Sequence, residues 1–162
     1  MQKIITNLSR LAKDKYKENN IFFNKLRNKP IKHLDYLMKE LHENEFNRTD
    51  CLSCANCCKT TGPLFTDKDI QRISKFFKIK ESQFIKQYLI LDEENDYVLR
   101  NLPCSFLGND NYCQIYDVRP KACREFPHTK RKKFHKISNL TLKNITICPA
   151  AYNIVEAMKK RI

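Results

Sequence analysis

Glycine and tryptophan are nearly missing from this sequence: two of its 162 residues are glycine and none is tryptophan. With only six prolines as well, neither a collagen-like chain nor a low-complexity linker fits. Long apolar runs are absent, and nothing approaches the roughly 20 residues of a membrane span. Met1–Tyr16 interleaves Lys3, Arg10, Lys13 and Lys15 with its apolar positions, so we read no export signal there. No Ser/His/Asp arrangement, phosphate loop or paired-carboxylate site stands out, which argues against a hydrolase. Acidic residues are scarce: 18 Asp and Glu stand against 31 Lys and Arg, a formal charge of +13. That excess suits acidic partners, whether nucleic acid, anionic lipid or an acidic protein, although solubility alone accounts for it as well.

Hydrophobic residues make up 41% of the chain and ten are phenylalanine, enough for one ordinary globular core. We expect a single domain over 1–162, mainly α with minor β. A small helical body with a short β-hairpin would wrap around a cysteine-rich centre. Its parts would be an N-terminal helical pair over 1–48, a cysteine region over 50–150 and a C-terminal helix over 147–160.

Helical spacing of Ile4, Ile5, Leu8, Leu11, Ala12 and Tyr16 predicts a first helix that Asn19-Asn20 can end, followed by an apolar patch at Ile21-Phe22-Phe23. A second helix has Pro30 in its first turn and a stripe of Leu34, Leu37, Met38, Leu41 and Phe46. Thr66 or Asp67 can cap a third, with Ile70, Ile73, Phe76 and Phe77 facing inward. A fourth covers Glu81–Leu89. Asp92–Asp96 reads as a solvated acidic turn, and Tyr97–Leu99 as a strand. Cys104–Leu107 and Tyr112–Tyr116 flank Gly108-Asn109-Asp110-Asn111, a hairpin signal expected to form the only sheet. A capped helix is expected from Val118 to Glu125, and a last helix with Cys148 in its first turn. Lys130–Lys133 reads as a basic loop beside Phe134.

Cysteine is what the chain has in excess. Cys51, Cys54, Cys57 and Cys58 fall within eight residues, and Cys104, Cys113, Cys123 and Cys148 follow singly. We expect a cytoplasmic protein, where thiols stay reduced and dense cysteines mean metal rather than disulfides. Cys51/Cys54 and Cys54/Cys57 have the two-residue spacing of a metal knuckle, and Cys51, Cys54 and Cys57 equally fit three ligands of an iron–sulfur cluster. Neighbouring side chains tend to point apart, so Cys57 and Cys58 should strain to share one zinc. Eight cysteines divide into two four-sulfur sites or surround one binuclear centre; spacing leaves both open. Eight thiolates and two divalent ions would reduce the charge to about +9. The helix start at Cys148 should favour its thiolate. Arg119 and Arg124 flank Cys123 and would balance sulfur charge or pair with Asp117 and Glu125. His128 and His135 are backup ligands; His33 and His42 are read as core-edge residues.

Cys51-x-x-Cys54-x-x-Cys57-Cys58, Pro103-Cys104-x-Phe106-Leu107, Cys113-x-Ile115-Tyr116-x-x-Arg119-Pro120-x-x-Cys123-Arg124-x-Phe126-Pro127 and Cys148-Pro149 together resemble the YkgJ-type CxxCxxCC cysteine-cluster family. The resemblance implies a zinc- or iron-chelating domain with all eight cysteines as candidate ligands. Ala55 departs from the glycine common at that place, and Asn56 could supply a left-handed turn instead. Larger proteins with a similar cluster include flagellin lysine methylases, thought to use an iron–sulfur centre and S-adenosylmethionine.

The first expected function is therefore a metal-binding protein for zinc or iron, in a structural or metal-handling role and without catalytic residues. The alternatives are an iron–sulfur-dependent redox or S-adenosylmethionine-dependent modifying enzyme, and a basic nucleic-acid-binding module.

Overall fold

A computed structural model describes residues 2–162, with side chains from Asn7 onward; Ile4 and Ile5 of the predicted first stripe lie outside the described side chains. The chain is mainly helical with one small antiparallel sheet, as expected. It groups into two compact units, one from residues 1–54 and 127–162, the other from 55–126.

The first unit is helical: α1 (Gln2–Asp14), α2 (Tyr16–Asn28), α3 (Leu34–Phe46), the single turn α4 (Cys51–Cys54), α9 (Ser138–Asn144) and α10 (Pro149–Lys159). Its core joins Leu8, Phe23, Leu34, Met38, Phe134, Ile154, Val155 and Met158, all nearly inaccessible. Helix α10 starts with Pro149, whose missing N–H costs nothing in a first turn, and buries seven of its eleven residues. It packs against α3, where the buried carboxylate of Glu45 accepts from Asn153 Nδ2 at 2.7 Å and from Arg48 Nε at 2.8 Å. The buried carboxylate, which would cost a few kcal/mol alone, is thus matched.

Asn19-Asn20 does not end a helix. The break falls at Lys15, and Asn19 lies inside α2, fully buried, where its side-chain oxygen accepts from Lys159 Nζ at 2.8 Å. The tertiary partner overrides the weak helix propensity of asparagine. Ile21-Phe22-Phe23 accordingly belongs to α2, with Phe23 buried and Ile21 exposed. Tyr16, expected in the buried stripe, is exposed. Pro30 precedes α3 by a turn rather than starting it, and helix α9 had no clear sequence signal.

The second unit comprises α5 (Asn56–Thr60), β1 (Leu64–Phe65), α6 (Asp67–Phe77), α7 (Glu81–Tyr88), β2 (Leu89–Leu91), β3 (Tyr97–Leu99) and α8 (Lys121–Glu125). Its core is aromatic: Phe77, Phe84, Tyr88 and Phe106 meet with ring centroids 4.9–6.4 Å apart, and Phe65 joins through Phe84. Burying a side chain of this kind contributes about 1.5–3 kcal/mol. Phe76, expected to face inward, is half exposed.

The sheet has the order β1-β3-β2, all antiparallel, with Leu64 opposite Val98 and Ile90 opposite Val98 on its other side. Its hairpin is β2–β3, closed by the acidic turn, where Asp92 Oδ1 accepts from the N–H groups of Glu94 and Asp96 at 2.9 Å each. The expected hairpin after Cys104 forms only one isolated bridge, Leu107 to Cys113, so it is not the sheet. Its turn does form: Gly108 N–H bonds the Tyr112 carbonyl at 2.8 Å, and a Cβ on Gly108 would stand 2.7 Å from Asp110 Oδ1. The segment from Val118 opens as a 3-10 turn (Tyr116–Val118), and α8 begins only after Pro120.

Candidate metal centre

In the helical unit, Asp50 starts the turn that carries the first two cysteines. Its Oδ1 accepts from Leu52 N–H at 2.9 Å, and Ser53 Oγ donates to its carbonyl at 2.9 Å. Cys51 and Cys54 stand three residues apart on α4, so both lie on one helical face. Cys148 caps α10, its sulfur accepting from Ala151 N–H at 3.4 Å. Burial is the main influence on this thiol and pushes it up to about 11. The N–H groups of Ala151 and Ala150 pull it down, and nearby Cys51 and Cys54 push it further up. The helix end was expected to favour the thiolate; desolvation outweighs it. Cys51 is exposed and Cys54 half-buried.

In the second unit, Ala55 turns the chain into α5 with a left-handed backbone (φ 46°), so the turn predicted for Asn56 sits one residue earlier. Asn56 is the first residue of the helix. Glycine adopts this conformation without the Cβ penalty that Ala55 bears, which is why glycine is common at this place. Cys57 and Cys58 follow in the first turn of α5 with their sulfurs 3.9 Å apart. Four zinc–sulfur bonds of 2.3 Å set tetrahedral edges of about 3.8 Å. The separation of these two adjacent sulfurs is close to such an edge.

The other three cysteines of this unit come from separate segments. Cys104 N–H bonds the Cys58 carbonyl at 2.8 Å, which ties the Cys104 loop to α5. Cys104 is not on a strand; Cys113 takes part in the isolated bridge, and Cys123 lies on α8. Burial pushes the Cys104 thiol up to about 11 and the Cys123 thiol up to about 12, and raises Cys113. Cys58, Cys104 and Cys113 each raise Cys123 further, so these four thiols feel one another's charge. Against that stand N–H groups bonded to sulfur: Phe106 and Leu107 to Cys104, and Ile115 to Cys113. Cys58 differs. A bond from Cys57 holds it down at about 7, burial opposes this, and Lys59 adds to it.

Arg119 lowers Cys113 and Cys123 through its charge, as the charge-balance expectation had it. It is held by stacking 3.8 Å over the Tyr116 ring and by donating to the Tyr116 carbonyl at 2.6 Å. Arg124 donates to the Arg119 carbonyl at 2.7 Å, while Glu125 pairs with Lys121. Sequence reasoning missed the anchor beneath this segment, although Thr66-x-x-Asp69 is a readable cap signature. The Asp69 carboxylate accepts from Thr66 N–H, Arg72 Nη2 and Lys121 N–H at 3.0, 2.6 and 3.1 Å. Arg72 also donates to the Val118 and Arg119 carbonyls, fixing the chain that leads into Cys123.

Residues 50–141, more than half of the chain, match the family described as "Putative zinc- or iron-chelating domain". The chain belongs to the CxxCxxCC family. No solved structure matches it. The CxxCxxCC match includes seven of the eight cysteines, and Cys148 lies beyond it. Among the described residues no three His, Cys, Asp or Glu side chains are drawn into a single coordination shell. The thiols are neighbours that sense one another's charge, and closing them on an ion calls for side-chain adjustment. The donor set itself, all sulfur with N–H groups bonded to it, suits zinc or iron. Of the backup ligands, His128 has a left-handed backbone and His135 sits in a 3-10 turn (Phe134–Ile137), both half-buried. His42 Nδ1 lies 2.7 Å from Thr129 Oγ1 and its ring stacks on Phe46, a structural role. No helix among the described residues is long and apolar enough to cross a membrane.

Proposed function

We propose that the chain holds zinc or iron at two cysteine sites. Cys58, Cys104, Cys113 and Cys123 would make one four-sulfur site in the 55–126 unit. Cys51, Cys54 and Cys148 would form a three-sulfur set in the helical unit, and Cys57, beside Cys58, is the eighth candidate ligand. What supports this is that backbone N–H groups pull down the half-buried thiols of Cys104, Cys113 and Cys148, the last through a hydrogen bond from Ala151 N–H. A buried thiol gains little from such donors, whereas a metal-bound thiolate gains charge-assisted bonds. A four-sulfur site leaves no open position and acts structurally; metal there stabilises the unit that it ties together.

A second reading rests on the three-sulfur set and on the exposure of Cys51. Three ligands leave one coordination position for solvent or a small molecule, as a catalytic or metal-transfer site requires. An iron–sulfur cluster held there would supply redox or Lewis-acid chemistry.

Protein purified without oxygen should carry about two metal ions or clusters per chain. Cys123→Ala and Cys148→Ala should each lose one of them while retaining the other. Loss of all metal in both variants would point to one shared centre, and full metal in either would remove that cysteine from the ligand set. Acid-labile sulfide with visible absorbance would assign iron–sulfur; colourless protein containing zinc would assign closed thiolate sites.

A further inference from the structure

The positive charge is not spread evenly. The helical unit has 20 Lys and Arg against eight Asp and Glu, whereas the 55–126 unit has 11 against ten. Nearly the whole excess of +13 therefore belongs to the helical unit rather than to residues 55–126. Within it, residues 127–162 contain nine basic residues and one acidic one.

The densest stretch is Lys130-Arg131-Lys132-Lys133, and it is held in place at both ends. Thr129 and Phe134, on either side, are fully buried. Thr129 meets His42 through its hydroxyl, and Phe134 packs into the core against Phe23. Asp35 accepts from the N–H groups of Lys133 and Phe134 at 2.7 and 3.0 Å, so its carboxylate is occupied by backbone. All four basic side chains are exposed, and none forms an ion pair among the described residues. A row of cations held in order at both ends lowers the entropy cost of binding a polyanion.

Phe134 cannot serve as the stacking aromatic of this surface, because it is buried. Tyr36 can. It follows Asp35 in α3, is 71% exposed, and comes just after Lys32 and His33. The other α3 apolar side chains are at least half-buried, so the surface lacks the broad apolar face that membrane insertion requires.

We propose that the Lys130–Lys133 loop and Tyr36 form a binding surface for single-stranded nucleic acid. The cations would track successive phosphates and the tyrosine ring would stack on one base. This does not depend on which metal the cysteines hold.

The test uses full-length protein with its metal retained and a fluorescent single-stranded oligonucleotide, read by anisotropy across a salt series. Four phosphate contacts predict a slope of log K against log salt of about −3. A triple variant, Lys130→Gln with Arg131→Gln and Lys132→Gln, should reduce that slope by about 2 and weaken binding about 100-fold near 0.1 M salt. Lys133 is kept because its left-handed backbone and N–H hold the loop on Asp35. Tyr36→Ala should weaken single-strand binding about tenfold and leave duplex binding unchanged. Unchanged metal content and circular dichroism in both variants would exclude misfolding as the cause. Absence of binding at low salt, or equal affinity in the triple variant, overturns the proposal. Tighter binding to anionic phospholipid vesicles that is insensitive to Tyr36→Ala overturns it in favour of a membrane surface.

Discussion

Replacing Asp69 with alanine should cost far more than its surface-like residue type suggests. The carboxylate is 1% exposed and accepts from two backbone N–H groups, the Thr66 hydroxyl and the Arg72 guanidinium. Loss of the cap costs about 1 kcal/mol. A single bond to a charged acceptor is worth about 1.5–3 kcal/mol, the four here share one carboxylate and do not add, and the N–H of Lys121 and the Arg72 charge would be left unmatched. The total is about 3–5 kcal/mol, in line with breaking a buried ion pair. That is a drop of about 12–40 °C in the melting of the 55–126 unit. Because Asp69 holds the segment leading into Cys123, metal affinity at the four-sulfur site should fall with it. Burial alone would raise the Asp69 pKa, but the Thr66 and Arg72 bonds outweigh it and hold the group below its usual value. Its contribution is thus present above about pH 4 and disappears as pH falls through the lower folded value. Urea unfolding of metal-free wild type and Asp69→Ala, at pH 7 and near pH 2.5, measures this. A difference below about 1 kcal/mol at pH 7 would refute the anchor. One that persists undiminished in acid would refute its electrostatic origin.

Metal uptake at the Cys58, Cys104, Cys113 and Cys123 set should release between three and four protons per ion at pH 7. The Cys104 and Cys123 thiols lie at about 11 and 12, while Cys58 at about 7 is already half ionised. Calorimetry in buffers of different ionisation enthalpy counts these protons, and a value near one would contradict the set. In metal-free protein these raised thiols should destabilise the fold as pH climbs from about 9 towards 11, because the unfolded chain ionises first. Unfolding midpoints that stay flat over that range, beyond what a cysteine-free variant shows, would count against it. Ala55→Gly removes left-handed strain of about 1 kcal/mol but also a buried methyl worth about 0.8 kcal/mol, so stability should stay within about 1 kcal/mol of wild type. Ala55→Val, β-branched at the same φ, should cost more than about 2 kcal/mol; equal stability of the two variants would show that the turn is not under that constraint.

Local signals in the sequence were legible where one segment satisfied itself. Thr66, one of the two expected caps, caps α6, α7 runs as expected, and Tyr97–Leu99 is a strand. The eight candidate ligands were readable from spacing and family resemblance, and seven of them lie within the matched stretch. What escaped depended on partners distant in the chain. Asn19 reads as a helix stop until Lys159 is brought to it from 140 residues away. Leu64-Phe65 is too short to announce itself and becomes a strand by pairing with β3. The Gly108–Asn111 turn was read correctly, but its flanks leave each other after one bridge. Phe134 looked available beside four cations, yet it completes the core against Phe23. The pKa of Cys148 was misjudged for a related reason: a helix end is visible in sequence, and the depth of burial over it is not.

The helical unit is assembled from two separated stretches of chain, whereas residues 55–126 form their unit without interruption. During synthesis from the N-terminus, every cysteine of the four-sulfur set is therefore made before Cys148, which follows Cys123 by about 25 residues. At roughly 5–20 residues per second that interval is about one to five seconds. Metal content of ribosome-bound chains carrying a C-terminal extension, stalled so that Cys123 has left the exit tunnel and Cys148 has not, would report on it. If the cysteines divide as proposed, one centre would have the opportunity to load while the other still lacks a ligand, and the order of translation would impose a filling sequence that equilibrium affinities alone would not.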